Sequence, residues 1–310
     1  MNSEESVSAF APATVANLGP GFDILGLALS GPGDTVTARR VSGHGVRLAA
    51  IEGDGGRLSL DPLTNTAAVA ATATLRRAGL DMAVELTLRK GLPIGSGLGS
   101  SAASAAAAAF AVNLLAGAPL RRADLVGPCL EAEEAVSGRH ADNVAPALLG
   151  GLLLVRSLDP LDLVRLPVPP ELRVVVATPE HEVSTRDARA AMPAQVPLAD
   201  AVRTSANLAA LVSACHSGDI ALLGRSLVDS VATPARLPLI PGARAVLAAA
   251  LDAGALGSGI SGSGPTLFAL CRSDRSAREA AAAMRDAFAR AGLRSTTATS
   301  PADCPGARRV

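Results

Sequence analysis

Pro93-Ile94-Gly95-Ser96-Gly97-Leu98-Gly99-Ser100-Ser101-Ala102-Ala103, followed by an alanine-rich run to residue 116, is the stretch on which the reading of this 310-residue chain turns. Three glycines at alternate positions remove Cβ atoms, so backbone N–H groups can turn toward a ligand and approach it closely. Residues 102–116 hold mostly the best helix former and no Gly or Pro, which predicts a helix. Ser100 or Ser101 is its expected N-cap. A glycine loop feeding a helix N-terminus presents unpaired donors and roughly half a positive charge, and both suit a phosphate. Ser100 sits where its hydroxyl can face such a group.

Composition narrows what surrounds the loop. With 28 basic and 28 acidic residues the chain has no electrostatic reason to seek nucleic acid or an anionic membrane. Five Phe with no Trp or Tyr leave no platform for base stacking, so the core must be Ala, Val and Leu. Cys129, Cys215, Cys271 and Cys304 lie far apart, fitting neither a zinc site nor a disulfide framework and favouring a reducing compartment. Glu4 and Glu5 open a segment unlike a signal peptide, and the 102–116 run is shorter than the roughly 20 apolar residues of a membrane span. The expectation is a soluble, cytoplasmic protein, long enough for two domains of about 150 residues.

Outward from the loop, residues 7–13, 34–41 and 82–88 read as strands, and 65–77 as a helix stopped by Gly79. Residues 122–136 read as helix, ending at Glu131, Glu133 and Glu134 ahead of a polar turn that holds Arg139, His140, Asp142 and Asn143. Gly150-Gly151 then precede an apolar strand over 152–155. Pro160, Pro167, Pro169 and Pro170 mark a linker across 157–170. Beyond it, strands are expected over 172–177, 266–271 and 294–299, with helices over 185–191, 200–215, 220–231, 243–253 and 277–291. The pattern is α+β in two modules, residues 1–165 and 166–310.

Which phosphate chemistry follows depends on what is missing. A Walker A loop needs Gly-Lys-Ser/Thr, yet the single lysine, Lys90, lies upstream of the glycines. No His-Arg-Asp catalytic loop of a protein kinase occurs. Gly257-Ser258-Gly259-Ile260-Ser261-Gly262 matches a dinucleotide fingerprint by letter, but an apolar β-run follows where a helix should open. A nucleoside triphosphate on the loop at 93–103 would bring magnesium, usually held by one or two protein oxygens. Position alone leaves Glu131, Glu133 and Glu134 open as its carboxylate. A second loop, Asn17-Leu18-Gly19-Pro20-Gly21-Phe22-Asp23, is turn chemistry whose polar ends either cap backbone groups or hold a small polar ligand.

Taken together these stretches resemble the GHMP family of small-molecule kinases and, within it, the homoserine kinases. Pro12-Ala13-Thr14 through Asp23, the phosphate loop, and Glu133 to Pro146 with Gly150-Gly151 carry the likeness; Ser184-Thr185, Arg189, Arg236 and the 260–265 turn add weaker matches. The resemblance implies an N-terminal ribosomal-protein-S5-like domain and a C-terminal ferredoxin-like domain. It implies ATP on residues 93–103 with Asn65 near the adenine, and magnesium on Ser100 and Glu133. The ammonium of L-homoserine would meet Asp23 and its carboxylate Arg189 and Arg236, a fork geometry suited to carboxylates. Asn17 and Asn143 would place the substrate hydroxyl, with Asp142 and His140 nearby as candidate bases or as groups that only orient the turn. It further implies a homodimer acting in threonine synthesis. Another small alcohol as substrate, or a non-catalytic sensor on the same fold, stand as alternatives.

Overall fold

The structure, a computed structural model, describes residues 5–310. Ser6–Ala16 (β1) runs antiparallel to the long Leu25–Arg40 (β2), and the turn between them carries Asn17, Leu18 and Asp23 at φ of 72, 43 and 60°. Asn and Asp tolerate this left-handed region better than other non-glycine residues. Val46–Glu52 (β3) leads through Thr66–Ala78 (α1) to Val84–Arg89 (β4), which lies parallel to β3. The Asn65 side chain caps α1 by accepting from Ala67 N–H, and Gly79 ends it in the left-handed conformation.

Ser100–Leu115 (α2) begins two residues earlier than predicted, and its N-cap is Gly99 with no side-chain bond, so neither Ser100 nor Ser101 is the cap. The helix is buried on nearly all sides, packed on β1 and β2 and flanked by α1, which is why it is alanine-rich. A short 3₁₀ turn and Val126–Glu134 (α3) follow, then Val144–Leu149 (α4), Leu152–Leu158 (β5) and Leu161–Leu166 (β6). The β6 strand lies where the prolines predict a linker. Pro160 sits in the β5–β6 turn and Pro167 follows the last paired residue, so neither removes a ladder N–H and the hairpin forms. The first sheet is ordered β1-β2-β4-β3, with β5 on the other half of β2 and β6 beyond it.

The second sheet takes Arg173–Pro179 (β7) and, after the helices Thr185–Ala190 (α5), Leu198–Ser217 (α6), Ile220–Arg225 (α7), Ala232–Arg236 (α8) and Ala243–Asp252 (α9), the hairpin Gly257–Ile260 (β8) and Leu267–Cys271 (β9). Asp274–Arg290 (α10) and Ser295–Pro301 (β10) complete it, and Arg308–Arg309 (β11) returns to pair with β1. The helix predicted over 220–231 breaks at Ser226, where Asp229 accepts from the N–H groups of Val231 and Ala232 instead. The fingerprint-like 257–262 stretch is a strand and a turn, with no helix to receive a pyrophosphate.

Strand alternation explains how two cores share this sheet. Val174, Val176, Phe268 and Leu270 point into the large core under the first sheet, while Val175, Ala177, Leu267 and Ala269 point into a second core beneath α9 and α10. Both faces are covered, so residues 174–177 are apolar without interruption. The fold is therefore a two-sheet α+β structure with the cleft at the junction.

Gly26 is where the 139–146 turn rests on β2: a Cβ there would lie 1.7 Å from the Asp142 carbonyl oxygen. Backbone cannot give way as a side-chain end can, so Gly26→Ala should lower stability by about 3 kcal/mol, read as a fall in Tm by thermal denaturation. An unchanged Tm would show that the 139–146 turn does not rest on β2.

Candidate functional site

One cleft of about 350 Å³ gathers residues from both lobes: Asn17, Asp23, Asn65, the loop at 94–97 and 99–101, Glu133, His140, Asp142, Asn143, Arg189 and Arg236 all line it. Not every predicted loop residue does. Leu98, Ala102 and Ala103 point into the core, Pro93 lines a separate cavity of about 300 Å³, and Ala103 N–H is taken by Gly99 O at 2.9 Å. None of these four lines the cleft.

The loop is held by its carbonyls. Thr266 N–H donates to Ser96 O at 3.2 Å, the Ser261 hydroxyl to Gly97 O at 2.6 Å, and Thr14 N–H to Leu98 O at 3.0 Å. Gly97 and Gly99 have φ of 76 and 67°, and a Cβ on Gly97 would lie 2.6 Å from the carbonyl oxygens of both Ser261 and Gly264. The Ser96 hydroxyl is buried without a hydrogen-bond partner. With its acceptors engaged from behind, the loop offers donors to the cleft, and the α2 N-terminus adds its field.

Opposite the loop stands α3, and it resolves the glutamate cluster. Glu131 pairs with Arg76 on the outer surface, Glu134 is exposed, and Glu133 is 2% exposed and faces the cleft. Its Oε2 accepts from the Ser137 hydroxyl at 2.9 Å, while Oε1 is buried and makes no well-formed hydrogen bond. Burial pushes its carboxyl above the usual range, against the pull of Ser101, His140 and Ser137. Of the two adjacent loop serines, Ser101 is the one whose hydroxyl acts on Glu133, near it though not in bonding geometry. The Ser100 hydroxyl instead accepts from Lys90 Nζ at 2.7 Å and donates to Leu92 O at 3.4 Å.

The turn after α3 packs three polar groups together. His140 Nδ1 lies 3.3 Å from Asp142 Oδ1, within ion-pair range but without hydrogen-bond geometry, and His140 Nε2 lies 3.2 Å from Ser137 O. Burial alone would lower the His140 pKa; the Asp142 contact and the charges of Asp142 and Glu133 outweigh it and raise it. Asn143 Oδ1 accepts from the Thr14 hydroxyl at 2.7 Å, which leaves its amide nitrogen without a protein acceptor among the described residues. Asn17 is committed on both sides: Nδ2 donates to Gly262 O and Oδ1 accepts from Asp23 N–H, each at 3.0 Å. Its side chain ties the 17–23 turn to the second lobe. Asn65 is likewise committed, to Ala67 N–H and Ser59 O, each at 3.0 Å.

At the far end, Asp23 and Arg189 meet each other. Two guanidinium nitrogens reach the two carboxylate oxygens at 3.0 and 3.1 Å, a bidentate pair about one-third exposed. Arg236 is 4% exposed, donates to Gly262 O at 2.8 Å and Ala188 O at 3.3 Å, and is pushed down by burial. Both guanidiniums lie over the Phe22 ring, 5.9 and 4.9 Å from its centre. Residues that sequence reasoning passed over include Phe22, Thr14, Thr185 and the Lys90–Asp34 pair. Their only signals were a place inside the first signature, a place in the Ser184-Thr185 match, and a single lysine just before the loop.

Comparison with known proteins places this geometry among relatives. Residues 65–151 match the GHMP kinases N terminal domain and residues 211–290 the GHMP kinases C terminal domain. The chain is 48% identical to the homoserine kinase of Arabidopsis thaliana, over 98% of this chain and 85% of that protein. It is 45% identical to the homoserine kinase of Chlorobium phaeovibrioides, over 98% and 99%. The crystal structure of homoserine kinase from Cytophaga hutchinsonii superposes with a TM-score of 0.97 at 44% identity, covering 100% of this chain and 99% of that one.

Gly97→Ala tests the loop. Alanine in the left-handed region costs about 1–2 kcal/mol and here also meets two carbonyl oxygens, so the loop must move. Calorimetric titration with ATP should show affinity reduced at least tenfold with the fold retained; unchanged affinity would mean that the loop N–H groups do not read the phosphates.

Proposed function

The chain belongs to the GHMP kinases and, among them, to the homoserine kinases, and from that premise we infer how its cleft moves the γ-phosphoryl group of ATP onto the side-chain hydroxyl of L-homoserine. The products are ADP and O-phospho-L-homoserine, a step in threonine biosynthesis. The single observation that supports the residue assignment is the convergence of a donor-rich loop, a buried carboxylate and a paired Asp23–Arg189 set on one cleft.

We read the roles as follows. Free N–H groups of the loop at 94–101 hold the ATP phosphates, and the adenine lies toward Leu58 and Leu88, beyond the α1 N-terminus that Asn65 caps. Magnesium fits at Glu133, whose buried Oε1 lacks a well-formed partner, and Ser101 is the hydroxyl placed to join it. When bound, the ion neutralises phosphate charge and needs few protein ligands. The zwitterion of homoserine would exchange into the existing ion pair, its ammonium taking Asp23 and its carboxylate Arg189 and Arg236. The Asn143 amide nitrogen is the donor available to position the hydroxyl. Phosphoryl transfer depends mainly on positioning and charge neutralisation, so His140 and Asp142 are assigned to shaping the turn around Asn143, with no proton abstraction routed through them.

The division at 165/166 would put the phosphate loop and Asp23 in one lobe and both arginines in the other, so the second lobe completes the substrate site. A homodimer is our proposed assembly, consistent with Leu198 and Val202 being 80% and 60% exposed one turn apart on α6. No helix among the described residues is long and apolar enough to cross a membrane, and four free, buried cysteines suit the reducing cytoplasm we propose.

A coupled ADP-release assay tests this reading. L-homoserine should stimulate turnover while mevalonate and galactose do not, and Asp23→Asn should raise the homoserine KM about a hundredfold without moving the ATP KM. Stimulation by an alcohol lacking the amino or carboxylate group would overturn it.

Acidity offers a second check. Binding of the magnesium nucleotide favours the Glu133 carboxylate, so it lowers a pKa that burial has raised and a proton leaves. Affinity should climb as pH rises through the raised value and flatten above it. Titration calorimetry in two buffers of different ionisation enthalpy should detect that proton in the wild type and lose it in Glu133→Gln.

A further inference from the structure

We propose that Lys90 and Asp34 are positioning residues for nucleotide binding, a buried ion pair that clamps both ends of the phosphate loop, and that Lys90 is not itself a phosphate ligand. The inference rests on the reading of that loop as the ATP-phosphate site.

The contacts assign one end of the loop to each partner. Asp34 Oδ1, from β2, accepts from Gly91 N–H at 3.0 Å and Leu92 N–H at 3.2 Å, where the chain enters the loop. Asp34 Oδ2 accepts from Lys90 Nζ and from the Ser104 hydroxyl, the latter at 2.7 Å. Lys90 Nζ also donates to Ser100 O at 3.0 Å, Ser100 Oγ at 2.7 Å and Ser104 Oγ at 2.9 Å, where the chain leaves the loop as α2. Entry and exit are thereby tied to one carboxylate through one ammonium.

An ammonium has three hydrogens, and Lys90 already faces four protein acceptors, so no donor remains for a phosphate oxygen. The two side chains are 2% and 0% exposed, which leaves no water to complete either. Such a pair is a poor device for stability, because well-packed apolar residues of similar volume often do as well or better. A cation beside the first turn of a helix also opposes the helix dipole. Both features are unfavourable for folding alone and intelligible if the pair sets local geometry. Its effect is visible at the next residue: by engaging the Ser100 hydroxyl, Lys90 leaves Ser101 as the one that acts on Glu133.

The test starts from wild-type enzyme that binds ATP and phosphorylates homoserine; if it does neither, the functional reading fails and not the clamp. Asp34→Asn keeps the lysine charge while weakening its hold. The clamp predicts that the ATP KM rises about tenfold while the homoserine KM stays within twofold, whereas a lysine that serves the phosphates would be freed, leaving the ATP KM unchanged or lower. Asp34→Asn with Lys90→Met, which removes the ion pair but keeps an acceptor for the Gly91 and Leu92 N–H groups, should show the same KM split at a Tm close to wild type. Lys90 is the only ε-amine in the chain, so wild-type protein gives an independent reading. Under native conditions an amine-reactive ester should leave Lys90 unlabelled by mass spectrometry both with and without ATP. Labelling that ATP blocks, or an ATP KM indifferent to the variants, would overturn the proposal.

Discussion

Three carbonyl oxygens of the phosphate loop, those of Ser96, Gly97 and Leu98, are each bonded from behind by a different residue. That constraint orients everything else in the cleft. A peptide group whose oxygen is fixed on one side must show its N–H on the other, so a loop anchored by its acceptors becomes a surface of donors. The anchors also come from both sides of the cleft, Thr14 from the first sheet and Ser261 and Thr266 from the β8–β9 turn, so the loop is itself part of the joint between lobes. Gly97 and Gly99 are needed for approach as much as for φ, because β1, the Asn143 turn and the β8–β9 turn crowd the places where their Cβ atoms would be.

A chain with balanced charge concentrates its buried charges around this joint. Asp34 with Lys90, Asp142 with His140, and Asp23 with Arg189 are each matched within the protein, and Arg236 is stacked on Phe22. Matching keeps each desolvated group from standing alone, which would cost several kcal/mol. Glu133 differs, because its Oε1 lacks a well-formed partner and burial raises its pKa. The exposed Asp23–Arg189 fork is the pair that a zwitterion can replace with little loss, since water and the ligand supply equivalent contacts.

Much of this was legible in the chain. The Asn65 cap and the Gly79 stop bounded α1 because both signals are local, a side chain reaching its own backbone and a left-handed residue. The alanine helix, the polar turn around Asn143 and three strands of the second sheet, β7, β9 and β10, were equally plain, whereas the glycines of β8 hid it. The 46–52 strand was not, because its partner β4 lies more than thirty residues on and its own pattern is irregular. The β6 strand was masked by prolines that turn out to flank its ladder rather than interrupt it.

The sequence by itself determined the class of chemistry: a glycine loop before a helix, without a Walker lysine, belongs to phosphate binding of a particular kind, and the signatures around it to a small amino-acid alcohol. Only the tertiary structure decided which of neighbouring, chemically equal residues takes each part. Glu131, Glu133 and Glu134 are alike in type, but α3 turns one inward and leaves the others to solvent and Arg76. Ser100 and Ser101 are adjacent and identical, and a lysine held by Asp34 engages the hydroxyl of the first and not of the second. Local propensity is blind to such choices, because they are made by side chains that approach from distant parts of the chain.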